Sequence, residues 1–274
     1  MKVNMAYTSL RIQGCNRDAH AKNKGDGLIM TATLIPPKGA VARADPEDRL
    51  SDYLNALGFY LSLPETVIDR ILFVDNSHSD LSPLADLVQN VPHAKDVELI
   101  SFQGNDHPYQ RGKAYGEFRL MDFGLANTSL FGSQDLIWKT TGRLKFLNLK
   151  EVSERSKRKK FDFLCDLHNV PWVGSGKWQN HENMDLRVFA FRMRAYDVIL
   201  RDLWKNNEEG FDAEFMYHLM RKRHEGVFVI PRFPTQPKLQ GISGRHQRDY
   251  LSSSQRTKDS VRAVFRRISP WLWL

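Results

Sequence analysis

The chain has 274 residues, 41% of them hydrophobic and 26% charged, a soluble globular composition with length for one large domain or two small ones. It contains no apolar run of about 18 residues, so no transmembrane helix is expected, and its two cysteines, Cys15 and Cys165, form neither a disulfide scaffold nor a zinc site. With 40 Lys and Arg against 32 Asp and Glu, the net charge of +8 favours anionic partners.

The first 26 residues are polar and weakly patterned, which suits a loose leader or an added sheet edge; no secretory signal block is present. "LIMTATLIP" (28–36) is apolar, β-branched and stopped by Pro36-Pro37, a buried strand. A helix is predicted over 45–63, with Asp45 as N-cap, Pro46 at the first position, and Leu50, Tyr53, Leu54, Leu57 and Tyr60 at helical spacing. "RILFVDNS" (70–77) is a second strand, "LSPLADLVQNV" a short helix, and "DVELISFQ" (96–103) a third strand. Residues 112–131 carry Phe118, Met121 and Leu125 at helical spacing, and "DLIWKTTGRL" is the fourth strand and its exit. "KKFDFLCDL" is a fifth strand, "LRVFAFRMRAYDVILRDLW" a strand running into a helix, "DAEFMYHLMRKRH" a helix and "GVFVIPRF" a late strand. This alternation predicts an α/β fold with a mostly parallel sheet between helices, and some antiparallel pairing in the C-terminal half.

Two strand exits carry candidate chemistry. At the end of the second strand, Asp75, Asn76 and Ser77 suit either a capped turn or contacts to a ribose or base. At the end of the fourth strand, Lys139, Thr141, Gly142 and Arg143 place two cations where open α/β sheets bind ligands. Arg pairs bidentately with phosphate oxygens, Lys acts as a point charge, and Gly permits close backbone approach. "HPYQRGKAYGE" adds Arg111 and Lys113 at a helix entry, where anions are favoured. His181, Glu182 and Asp185 match no standard zinc pattern, and His218 and His224 lie too far apart for one helical face.

The order of these pieces over residues 28–233 resembles the GT-A-fold nucleotide-sugar glycosyltransferases. "VDNSHSD" is similar to the aspartate-rich end of that family's second strand, and "LIMTATLIP" to its first strand ending in proline. The "KxTGR" element and "RFPTQPKLQG" are similar to those of bacterial surface-polysaccharide transferases of capsule and lipopolysaccharide. The resemblance implies a GT-A (Rossmann-like) catalytic domain over 1–254. Its nucleotide-sugar-binding half spans 28–150 and its acceptor-side half 151–254. Pro36, Arg43, Arg49, Asp75, Asn76 and Ser77 would meet the donor nucleotide; Arg111, Lys113, Lys139, Thr141, Gly142 and Arg143 would meet the diphosphate and sugar. The family's metal-binding Asp-x-Asp is missing: no carboxylate lies between Asp135 and Glu151. The expected mechanism therefore requires no cofactor, with Mg or Mn compatible but not needed, and cations stabilise the leaving diphosphate. An inverting transfer needs one base, for which Glu214 and Asp185 are the candidates.

In residues 255–274, Val261, Val264, Phe265 and Ile268 share a helical face flanked by Arg262, Arg266 and Arg267, and an aromatic end follows. This predicts an amphipathic tail on an anionic membrane surface. The expected partners are a UDP- or GDP-linked sugar donor, a glycan or lipid-linked acceptor and that membrane, with no nucleic acid; the expected place is the cytoplasmic face. A nucleic-acid-binding protein and a sugar nucleotidyltransferase are the alternatives.

Overall fold

The computed structural model describes residues 6–14, 25–107, 111–170, 181–206, 212–244, 247, 249–269 and 273; the side chain of Lys113 is outside this set. Strand β1 (Tyr7–Gln13) is followed by β2 (Asp26–Ala32), every residue of which is buried. Helix α1 (Pro46–Ser62) starts where the sequence predicts. The Asp45 carboxylate accepts from the Glu47 and Asp48 amides, and Pro46 occupies the first turn. Then come β3 (Ile68–Asp75), α2 (Ser82–Asn90), β4 (Asp96–Phe102), α3 (Lys113–Asn127) and β5 (Leu136–Thr141). The second half is built from shorter pieces: β6 (Lys145–Phe146), α4 (Leu149–Ser156), β7 (Phe163–Leu164), β8 (Leu167–His168), β9 (Asn183–Met184), β10 (Val188–Arg192), α5 (Met193–Ile199), α6 (Ala213–Arg221), β11 (Val229–Ile230), β12 (Leu239–Gln240) and α7 (Ser253–Ile268).

The main sheet has the order β1-β4-β3-β2-β5-β10-β7-β11, with β1 and β10 running against the rest. This is the mostly parallel, helix-flanked α/β architecture expected from the sequence. Of the two readings left open for the N-terminal residues, Tyr7–Gln13 takes the added edge, antiparallel to β4. The fifth predicted strand shrinks to the two residues of β7, because the chain turns at Cys165 to form the β8/β9 hairpin.

One sheet face packs on α1, α2 and α4 through Tyr53, Leu57, Tyr60, Leu84, Val88 and Val152. The other packs on α3, α5 and α6 through Phe118, Met121, Tyr196 and Met216. Asp26, at the start of β2, accepts from Trp138 Nε1 (3.0 Å) and Ser153 Oγ (2.9 Å) and pairs with Lys157 (2.9 Å), which fixes α4 to the sheet. Part of the basic run 155–160 is thereby used in structure.

The chain leaves β2 for β3 and β4 on one side, then returns to β5 on the other. The topological switch point therefore lies between the exits of β2 and β5, the place where open α/β sheets bind ligands. Because β10 is antiparallel, its beginning, at Val188, lies beside Thr140 at this same edge.

Candidate functional site

The exits of β2, β3 and β4 are tied together by Asp75. Its side chain is fully buried and accepts from the Leu34 amide (2.8 Å), the Ser77 amide (3.0 Å) and hydroxyl (2.7 Å), the Ser79 amide (3.2 Å) and the Ser101 hydroxyl (2.9 Å). Both oxygens are filled, so Asp75 shapes the loop that would face a nucleotide and does not itself reach a ribose. Asn76 is also buried and accepts from Thr33 Oγ1 (2.6 Å), and the Ser77 hydroxyl accepts from the Ile35 amide (3.0 Å). Pro36 is half-buried at the lip, beside the exposed Ile35.

The two arginines expected at the nucleotide are likewise committed. Arg43 pairs with Asp52 (2.6 Å) and Asp48 (3.1 Å), and these carboxylates raise its pKa. Arg49 is buried and donates to the Thr33 (2.7 Å) and Arg43 (3.0 Å) carbonyls and to Tyr53 Oη (3.0 Å). Both brace the 33–43 loop from behind, which corrects the expectation of direct contact.

The β5 exit divides by strand alternation. Trp138 points to the α1 face; Lys139 points to the α3 face, in register between Ile29 and Phe189. There it is fully buried, paired with Glu117 (2.6 Å) and set over the Phe189 ring at 5.6 Å. It neutralises Glu117 instead of lying open at the strand end, a second correction. Gly142 is needed for packing: its amide donates to the Thr31 carbonyl (2.8 Å), and a Cβ there would stand 2.9 Å from that oxygen and 3.2 Å from the Tyr53 ring. The close approach that the structure shows is to the protein's own β2 exit.

Arg143 is different. It is half-buried; its Nε donates to the Ile242 carbonyl (3.0 Å), and its guanidinium lies against Gly244, whose amide neighbourhood is joined to the β2 exit by Arg43 N–H donating to the Gly244 carbonyl (3.1 Å). Among the described residues no carboxylate pairs with it. Arg143 thus sits at the switch point, held at one nitrogen, with its charge not offset by an acid. Arg111 lies over the Tyr115 ring at 5.2 Å, again without a carboxylate partner among the described residues. Lys113 opens α3, and Thr141 is half-buried, its amide donating to the Arg187 carbonyl (2.9 Å).

That last bond joins the β5 exit to a polar cleft that sequence reasoning largely missed. The β8/β9 hairpin carries Asp166 and His168 on one arm and leads through Asp185 to Arg187 on the other. Tyr250, the Gln236–Leu239 segment and the α7 residues Gln255, Asp259 and Arg262 add to the lining, and the free room is about 10 Å³, on the order of a single water or hydroxyl. Arg187 binds Asp185 in a fork (Nη2 at 2.6 Å, Nε at 2.9 Å) and lies over the Tyr250 ring at 4.9 Å. Burial alone would push the Asp185 carboxyl up, but Arg187 outweighs it and holds the group well below the usual carboxylate range. A carboxylate with so little affinity for a proton is a poor base, so Asp185 positions Arg187, a third correction. Glu214, in the first turn of α6 after its N-cap Asp212, is half-buried and does not line this cleft.

The C-terminal segment is docked, not loose. Arg266 pairs with Asp166 (Nη1 at 2.9 Å) with both side chains about 95% or more buried, and donates to Gln236 (2.8 Å) and the Phe233 carbonyl (3.0 Å). Trp273 packs on Tyr217 and Arg221; Trp271, Leu272 and Leu274 lie outside the described residues. The same helix leaves Val261, Val264 and Ile268 exposed at 45%, 53% and 64%.

No family model and no curated protein matches the chain. Among solved structures, it is similar to 4-diphosphocytidyl-2C-methyl-D-erythritol synthase from Anaerococcus prevotii, at 11% identity over 87% of this chain and 96% of that one, with a TM-score of 0.46. A chain described as a nucleotide-diphospho-sugar transferase from Desulfovibrio desulfuricans overlaps at 11% identity over 75% and 78% (TM-score 0.42), and an active-site mutant of LgtC at 11% over 74% and 72% (TM-score 0.43). Overlap at this level says nothing of activity.

Proposed function

We propose that the chain is a glycosyltransferase that moves a sugar from a nucleoside-diphosphate donor to a glycan or lipid-linked acceptor in surface-polysaccharide synthesis. The observation that carries this reading is Arg143 at the switch point between the β2 and β5 exits, without a carboxylate partner among the described residues. The diphosphate lies against Arg143, with Arg111 as a second cation at the entry to α3; the base lies over the 33–39 loop that Asp75 shapes. As the bond from the sugar to the diphosphate breaks, the guanidinium stabilises the charge that develops on the leaving group. The β5 exit offers no carboxylate to hold a metal, so this cation takes that electrostatic work. Thermal unfolding tests the donor class: the reading expects stabilisation by UDP or GDP in EDTA. Stabilisation by oligonucleotides alone would replace it with the nucleic-acid alternative.

An anionic membrane surface is the proposed place of action. Val261, Val264 and Ile268 form an outward apolar stripe beside exposed Arg256, Lys258 and Arg267, the pairing that seats a helix in an anionic interface. Removing 255–274 would also strip the cleft of three lining residues, so substitution is the cleaner test. Replacing the three apolar residues with serine is expected to weaken sedimentation with phosphatidylglycerol vesicles at least about tenfold, since each apolar side chain contributes roughly 1 kcal/mol or more, with thermal stability unchanged. Equal sedimentation would exclude the membrane role.

A further inference from the structure

We propose that Asp259, on the inward face of α7, is the general base that takes the proton from the acceptor hydroxyl; this rests on the glycosyl-transfer reading above. Three carboxylates line the cleft beside the β5 exit: Asp166, Asp185 and Asp259. The first is consumed by Arg266 and the second by the fork from Arg187. Among the described residues, Asp259 holds one neutral hydrogen bond, from Gln255 Nε2 at 3.1 Å, and a longer contact from Arg262 Nη1 at 3.6 Å. Its side chain is 27% exposed, enough for one oxygen to meet an incoming group, and it lines a cleft whose room is on the order of one hydroxyl.

The surroundings suit a proton acceptor. Asp185 and Arg187 face Asp259 from the turn before β10, His168 and Asp166 from β8 and its approach, Tyr250 from the preceding turn, and Arg262 from α7 itself. Burial raises the Asp259 carboxyl above the ordinary range, with Asp185 adding to the rise. The Gln255 amide, Arg262 and Arg187 oppose it without cancelling it. Asp185 has the opposite balance, which separates a base from a positioning group. In the step, the acceptor oxygen bonds to the anomeric carbon and its proton passes to Asp259. The bond from the anomeric carbon to the diphosphate oxygen breaks, and its electron pair leaves with the nucleoside diphosphate.

The test is transfer kinetics of the full-length protein with UDP- and GDP-linked hexoses as donors, comparing wild type, Asp259→Asn and Asp259→Glu across pH. Asp259→Asn is expected to lower kcat by about 10²–10⁴-fold, leave the donor KM and nucleotide stabilisation unchanged, and lose the rise of kcat with pH that deprotonation of the base produces. Asp259→Glu is expected to restore part of the rate and the rise. An Asn variant with wild-type kcat and pH profile overturns the assignment, as does one that loses donor binding along with rate and is not rescued by Glu. Absence of nucleotide-sugar turnover in the wild type overturns the transfer reading itself, and is thereby told apart from failure of the base alone.

Discussion

Asp166→Asn is expected to lower the free energy of unfolding by about 3–5 kcal/mol, the usual cost of removing one partner from a buried ion pair. Asp166 and Arg266 are 3% and 5% exposed, so the guanidinium left behind has no water to take the place of the carboxylate. The loss is compounded by Arg232, whose pKa is pushed down to about 10 by burial and by its neighbour Arg266. Without Asp166, two guanidiniums face each other in a poorly solvated place. Arg266→Met should cost less, because His168 and Arg232 still lie beside Asp166. Chemical denaturation gives the difference, and proteolysis near 253–269 reports whether α7 stays docked. An unchanged denaturation midpoint with α7 still protected would mean that the pair does not hold the C-terminal helix.

Arg143→Ala is expected to leave turnover about 10²–10³-fold lower, the range for removing one preorganised donor to a developing negative charge. The fold is expected to stay intact, because among the described residues the half-buried side chain gives up one hydrogen bond, from Nε to the Ile242 carbonyl. Arg143→Lys should recover little, since lysine cannot hold that carbonyl and present a planar fork to a diphosphate at once. Lys139→Ala, in the same motif, should behave in the reverse sense. It leaves Glu117 without its buried partner and is read in stability before turnover. Wild-type rates in Arg143→Ala would remove the carrying observation.

The contrast between these two residues shows how far the motif could be read. That Leu136–Thr141 is a strand with a ligand-facing exit followed from the apolar run and its Thr-Gly-Arg end. Which cation faces that exit depends on strand parity, and parity sends Lys139 to the α3 face. Asp75 was legible as a strand-end acid, but its five donors come from the exits of β2 and β3 and from the end of β4, a convergence that only tertiary structure supplies. Gly142 was legible as a close approach, with the approaching partner, Thr31, unknown.

The C-terminal helix was legible on one face only. Val261, Val264, Phe265 and Ile268 read as a membrane-facing stripe, and Val261, Val264 and Ile268 are exposed. The helix carries a second stripe at the same period, Gln255, Asp259, Arg262 and Arg266, and that one packs inward. The signal was present as alternating polar positions. It could not be told from a solvated face, because the buried acid that receives Arg266 lies 100 residues earlier in the chain.

The most direct measurement is calorimetric titration of UDP and GDP, in EDTA, into the wild type and Arg143→Ala. The account predicts that one of the two nucleotides binds the wild type without metal, and that Arg143→Ala weakens it at least about tenfold, the loss of one charge-assisted pair to a phosphate. Binding that appears only with a divalent metal, or that is equal in the two proteins, would contradict the placement of a diphosphate against Arg143.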